Sequence, residues 1–88
     1  MTTTSIIKKY KLNAFNADSC ESAGHDALKS FFQDIEINWE TNEDGVLIHE
    51  SDDDIFEATQ GNYDSVSDIT RDADDVYFNA FEEAAKNL

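Results

Sequence analysis

The sequence predicts a small α+β domain, with two helices on an antiparallel sheet of three to four strands in the order β-α-β-β-(β)-α. Strict alternation of apolar and polar residues over 35–41 is typical of a strand, and the Asp-Gly pair that follows is typical of a hairpin turn. Apolar residues recur at steps of three and four in 20–32 and again in 66–88, which indicates two helices. Because 88 residues are enough for one modest core, residues 1–88 are predicted to form a single domain.

The first element is predicted to be a strand over residues 5–15, although Lys8 interrupts its alternation. Its apolar face would carry Ile6, Tyr10, Leu12 and Ala14. A helix is expected to begin within residues 16–19, because Asp18 and Glu21 have the spacing of a capping box. The apolar stripe of this helix would consist of Cys20, Ala23, Ala27, Leu28, Phe31 and Phe32.

A β-hairpin is predicted next, with a turn at residues 42–45. Its inward-facing side chains would be Ile35, Ile37, Trp39, Val46 and Ile48. Residues 51–61 fit two alternatives. Ser51 followed by Asp54 would cap a short helix that ends at Gly61, whereas the segment Asp-Ile-Phe-Glu-Ala-Thr would add a third strand, and we favour the strand. The last helix is expected from about Asp72 to the C-terminus, with Ser65 as an alternative start.

Charge is distributed unevenly along the chain, whose net charge is −14. Residues 1–33 hold four lysines and three acidic residues, whereas residues 34–88 hold seventeen acidic residues against Arg71 and Lys86. Solubility requires far less charge than this. The asymmetry therefore favours a basic partner, with general salt adaptation and a plain acidic domain as the alternatives.

Enzymatic motifs are absent from the sequence, which has no glycine-rich phosphate loop, no nucleophile elbow and no histidine pair at metal-ligand spacing. His25 and His49 are interpreted as ordinary polar residues, and Cys20 as a buried structural thiol. We therefore predict that the chain is not an enzyme and has no cofactor.

One partial metal motif requires separate consideration. Glu40, Asn42, Asp44 and Gly45 match positions 1, 3, 5 and 6 of the EF-hand loop. The first position is Glu instead of Asp, and Ser51 stands at position 12, where a bidentate Glu is needed. A hairpin turn is therefore the favoured interpretation, and no metal site is predicted.

Acidic residues are spaced along the last helix so that they form one edge. If the helix begins near Asp64, acids and one asparagine follow at steps of four and three, opposite the apolar face. Side chains at this spacing lie roughly 5–6 Å apart, so the edge would imitate a row of phosphates. With the acids of 52–57, the candidate partner-binding residues are Asp52, Asp53, Asp54, Glu57, Asp64, Asp68, Asp72, Asp75 and Glu82.

In size, acidity, single cysteine and lack of catalytic motifs, the chain resembles the small inhibitors made by phages and mobile elements, which include DNA-mimic, anti-restriction and anti-CRISPR proteins. The resemblance implies a viral inhibitor that blocks a basic nucleic-acid-binding site of a bacterial defence nuclease, for example a CRISPR effector complex. It implies protein–protein interaction as a monomer or dimer, without direct contact to nucleic acid or membrane.

Two further classes of function remain open. One is an immunity protein or antitoxin that neutralises a cognate basic nuclease toxin. The other is an acidic protein-interaction module with Trp39 or Tyr77 as an aromatic anchor. The lone cysteine and the lack of a signal-like or membrane-spanning apolar segment predict a cytoplasmic location, which is the host cytoplasm if the chain is phage-encoded.

Overall fold

Helices dominate the computed structural model, which describes residues 2–42 and 45–88. These residues form, in order, α1 (Thr3–Tyr10), α2 (Ala14–Phe31), β1 (Trp39–Asn42), β2 (Gly45–Ile48), α3 (Asp52–Ala58) and α4 (Val66–Lys86). In the described part of the chain the sheet has two strands. The predicted sheet of three to four strands with two helices is therefore wrong, because the first predicted strand and the third are helical instead.

α1 replaces the predicted strand over residues 5–15. The Thr2 hydroxyl caps the helix by accepting the Ser5 N–H at 3.2 Å. Ile6 is buried and Tyr10 is half-buried, and their separation of four places both on one helical face. The helix ends where Lys11 adopts a left-handed conformation, with φ of 55°. The same apolar residues fit a strand or a helix, and the Thr2 cap favours the helix.

α2 begins earlier than predicted. Its N-cap is Asn13, whose side-chain oxygen accepts the Asn16 N–H at 2.8 Å, so the proposed capping box at Asp18 and Glu21 is wrong. The predicted apolar stripe does face the core, since Cys20 and Leu28 have no exposed surface.

α3 is also a helix where we favoured a strand. The Ser51 hydroxyl accepts the Asp54 N–H at 3.2 Å, which is the cap considered as the alternative. At the end of the helix, the buried Thr59 hydroxyl donates to the Ile55 carbonyl at 2.7 Å and accepts the Tyr63 N–H at 3.2 Å. These bonds shape the turn into α4, whose N-cap is Ser65. The favoured start at about Asp72 is therefore wrong, and the alternative start at Ser65 is confirmed.

The predicted hairpin is confirmed but is shorter than expected. β1 and β2 pair antiparallel with Trp39 opposite Ile48. Residues 35–38 are not part of the strand, because the Ile35 N–H bonds back to the Phe32 carbonyl at 3.0 Å in a turn that follows α2. The turn residues Glu43 and Asp44, and with them part of the EF-hand comparison, lie outside the described residues.

The main core lies between α2 and α4, which run antiparallel. Gly24, near the middle of α2, packs against Tyr77, near the middle of α4. Phe31, at the end of α2, contacts the ring of Tyr63, which precedes α4. A β-carbon at Gly24 would lie 2.6 Å from Cδ2 and Cε2 of Tyr77, so the absent side chain makes room for the ring. Tyr77 is only 2 % exposed and is therefore not the surface anchor considered from the sequence.

The hairpin covers one side of this helix pair. Trp39 stacks on Phe32, with ring centroids 5.1 Å apart, and the His25 ring lies 5.6 Å from the Trp39 ring. Nε2 of His25 lies 2.6 Å from the Thr41 hydroxyl, so this half-buried histidine joins α2 to β1. Among the described helices, none is both long and apolar enough to cross a lipid bilayer.

Gly24→Ala is expected to destabilise the fold. Alanine is the better helix former by ~1 kcal/mol, but its methyl group would overlap the Tyr77 ring and cost about 1–3 kcal/mol. Urea unfolding followed by circular dichroism measures the net change, and Ser22→Ala, at an exposed position of α2, is the control. A Gly24→Ala protein about 1 kcal/mol more stable than the wild type, which is the gain from helix propensity alone, would contradict this packing.

Tyr77 is expected to make the fold sensitive to alkali. Burial, and then the nearby Glu21 charge, raise its pKa from 10.0 to about 12. Between these values the unfolded chain loses the phenolic proton while the folded chain keeps it, so stability falls as pH rises from 10 towards 12. The full loss is ~2–3 kcal/mol. Urea midpoints measured from pH 8 to 11.5 should fall less steeply in Tyr77→Phe, and equal slopes would contradict this assignment.

Candidate functional site: the acidic end

α4 contacts α1 near its C-terminus and α3 near its N-terminus. Lys9 of α1 forms a 3.2 Å ion pair with Glu82 near the C-terminus of α4. Asp52 of α3 accepts the N–H of Val66, the first residue of α4, at 2.8 Å. These two points are about 24 Å apart along the helix at 1.5 Å per residue. Lys9 of α1 and the acids of α3 therefore lie near opposite ends of α4.

We use the term acidic end for eight carboxylates near the N-terminus of α4. They come from the turn after α2, the turn after β2, α3 and the residue before the N-cap of α4. No lysine or arginine occurs in the sequence between Lys29 and Arg71, so none interrupts these segments. The members are Asp34, Glu36, Glu50, Asp52, Asp53, Asp54, Glu57 and Asp64.

Five of these side chains line an open cleft of about 500 Å³, here called the acidic cleft. Its carboxylates are those of Asp34, Glu36, Glu50, Asp54 and Glu57, with Ala58 as a further wall. Oε1 of Glu50 accepts the Asn38 N–H at 3.1 Å, which holds the segment before β1 against the segment after β2. The cleft therefore combines acids that are up to 23 positions apart in sequence.

Three of the cleft residues, Asp34, Glu36 and Glu50, were not identified from the sequence as candidate site residues. Asp34 and Glu36 lie in the irregular segment after α2, and Glu50 lies between β2 and α3. No periodic pattern connects them to α3, because their proximity arises from the turns on both sides of the hairpin. The one sequence feature that indicates a shared acidic surface is the absence of lysine and arginine over residues 34–70.

The first turn of α3 contains three of the predicted residues, Asp52, Asp53 and Asp54, all exposed. Acids at this position interact favourably with the positive end of the helix dipole. Asp52 has a further structural role through its bond to Val66, whereas Asp54 and Glu57 face the acidic cleft. These residues are helical, and they do not form the strand edge that we favoured.

The predicted acidic edge of α4 is only partly exposed and free of intramolecular bonds. Asp64 precedes the helix, so it is not part of the helical stripe. Asp68 is half-buried and pairs with Arg71 at 3.3 Å, and Asp72 accepts the Tyr63 hydroxyl at 3.0 Å. Asp75 is exposed on the same outer face.

Glu82, the last member of that edge, is held by Lys9. The hydrogen bond and charge of Lys9 lower the pKa of Glu82, and the same contact raises the pKa of Lys9. The Tyr63 pKa is raised, first by burial and then by Asp72. Intramolecular partners thus account for several acids that the sequence suggested were free, and the centre of uncompensated charge shifts from α4 to the acidic end.

The histidine, cysteine and acidic side chains of the described residues do not meet the requirements of a metal site. No group of three or more His, Cys, Asp or Glu side chains there is arranged to hold a metal ion. Cys20 is fully buried as predicted, and burial raises the pKa of its thiol. His49 lies on the exposed side of the hairpin, with Nε2 3.3 Å from Glu40.

Comparison with known proteins identifies no relative of this chain. No family model matches the chain, and neither the curated proteins nor the solved structures contain a significant match.

Asp52→Ala is expected to lower the free energy of unfolding by about 1 kcal/mol, because the first N–H of α4 loses its acceptor. Asp53→Ala is the matched control, since it removes the same charge from the same helical turn. We expect the control to leave stability within about 0.5 kcal/mol of wild type. Urea unfolding at one salt concentration compares the two, and equal losses would show that the Asp52 bond has no structural role.

Proposed function

We propose that the chain is an inhibitor whose acidic end occupies the positively charged nucleic-acid-binding site of a bacterial defence nuclease, such as a CRISPR effector or a restriction enzyme. The observation that carries this proposal is the convergence of carboxylates from four separate segments into one end of the fold. A concentration of negative charge on a rigid surface imitates the phosphate backbone that such a nuclease binds. The inhibitor would act in the cytoplasm of the host cell.

The electrostatics of the acidic end favour binding over an idle solvent-facing role. Five carboxylates around one cleft repel one another, so their charge opposes folding. A partner rich in lysine and arginine relieves this repulsion and is attracted at long range. The exposed lysine Lys9 of α1 lies near the C-terminus of α4, away from the acidic end, whereas Lys29 lies in the last turn of α2, close to it.

The outer face of α4 extends the same surface. Asp75 is exposed there, and Asp72 is exposed beside its Tyr63 bond. Acids one helical turn apart lie roughly 5–6 Å from each other, which is comparable to the spacing of successive phosphates along a strand. The acidic end would supply the main contact, and this face a continuation along the groove of the partner.

The proposal is tested by charge reversal with a matched control. The variant Glu36→Lys/Asp53→Lys/Glu57→Lys alters the acidic end at three exposed positions. The control Asp18→Lys/Asp26→Lys/Glu83→Lys gives the same change in net charge at three exposed positions elsewhere. Circular dichroism first establishes that both variants are folded.

Immobilised wild type and both variants are exposed to lysates that contain CRISPR and restriction complexes, and retained proteins are identified by mass spectrometry. We expect the wild type and the control to retain a nuclease. The amount of nuclease retained by the acidic-end variant should be lower by at least about tenfold. Cleavage of target DNA by the retained nuclease should be inhibited in the same order. Equal retention and inhibition by the two variants would refute a role for the acidic end.

A further inference from the structure

A second surface, distinct from the acidic end, lies where the outer edge of β2 faces α4. An open groove of about 680 Å³ lies along their contact, lined by residues 46–48 of β2 and by the α4 side chains of Val66, Thr70 and Phe78. Leu47 is 40 % exposed beside it. The groove offers apolar contact area next to a strand that, among residues 2–42 and 45–88, pairs with one neighbour, β1.

The backbone of β2 directs hydrogen-bonding groups towards this groove. In an antiparallel pair, residues that bond to the neighbouring strand alternate with residues whose N–H and C=O groups point away. The His49 N–H donates to the Asn38 carbonyl at 2.9 Å, so Val46 and Ile48 point away from β1. An edge of this kind is a template for another strand.

Asp74 already shows that an acceptor can reach this edge. Its Oδ1 accepts the Val46 N–H at 2.6 Å, and so it stands where the carbonyl oxygen of an added strand would lie. A backbone carbonyl of an added strand could accept the Val46 N–H in place of Asp74, so the number of hydrogen bonds would stay the same. The exchange releases a carboxylate at the wall of the groove.

The charge around the groove selects the kind of strand that fits. Asp74 and Asp75 line it, and its cation, Arg71, is engaged by Asp68 at 3.3 Å. A second copy of this chain would bring another net charge of −14, which opposes pairing of two β2 edges. A segment with lysine or arginine side chains has the complementary charge.

We propose that β2 accepts an extended, cationic segment of a partner protein as a third strand. The segment would pair with the outward groups of Val46 and Ile48, displace Asp74 from the Val46 N–H, and place cationic side chains beside Asp74 and Asp75. This surface lies outside the acidic end, and the inference does not depend on the proposed function.

The probe for this inference is a capped peptide, Lys-Val-Lys-Val-Lys-Val, titrated into the ¹⁵N-labelled full chain. The control peptide has the same sequence with every backbone nitrogen methylated, so that it keeps its charge but cannot donate to a strand. We expect amide shifts at residues 46–48 and slower hydrogen exchange at Ile48 with the first peptide, and an affinity at least about fivefold lower with the second.

Two protein variants separate strand pairing from general attraction. Asp74→Asn/Asp75→Asn keeps side-chain oxygens but removes both charges, and should weaken binding about five- to tenfold. Asp26→Asn/Glu83→Asn removes the same charge from exposed positions outside the groove and should change the affinity less than twofold. Equal affinity for the two peptides, or shifts confined to the acidic end, would overturn the inference while leaving the proposed function to its own test.

Discussion

The close approach of the Tyr77 ring to the backbone of Gly24 is the contact on which the remaining structure depends. It lets two long helices pack antiparallel with a large aromatic side chain buried between them, where an ordinary side chain on α2 would force them apart. In a chain of 88 residues this helix pair must supply most of the core. The hairpin then adds one further layer, through the stacking of Trp39 on Phe32.

The same helix pair determines where the charge lies. Because α2 and α4 are antiparallel, the turn after α2 returns to the start of α4, and α3 is attached there by the bond from Asp52 to Val66. Lysines of α1 are held at the far end by the pair between Lys9 and Glu82. Eight of the twenty acidic residues are thereby brought to one end of the molecule, where their charges repel one another.

Sequence patterns predicted the hairpin and the last helix, because apolar residues recur there with the spacing of a strand and of a helix, respectively. They failed for α1 and α3, which are too short for period alone to decide, and there the hydroxyl caps of Thr2 and Ser51 determined the outcome. Asp68, Asp72, Asp75 and Glu82 of the predicted stripe lie in α4, whereas Asp64 precedes the helix. The bonds from Glu82 to Lys9 and from Asp72 to Tyr63 could not be predicted, because they join segments that are distant in sequence or separated by a turn. For the same reason the acidic cleft was not predictable, since Glu50 joins α3 only through the folding of two turns.

Competition between the chain and DNA for one purified nuclease tests the central claim most directly. The apparent Kd of the nuclease for a labelled duplex is measured at increasing concentrations of the chain and at several salt concentrations. If the acidic end occupies the nucleic-acid site, the apparent Kd rises in proportion to the concentration of the chain without limit, and the effect weakens steeply with salt. An apparent Kd that levels off would show that DNA and the chain bind together, which contradicts the account.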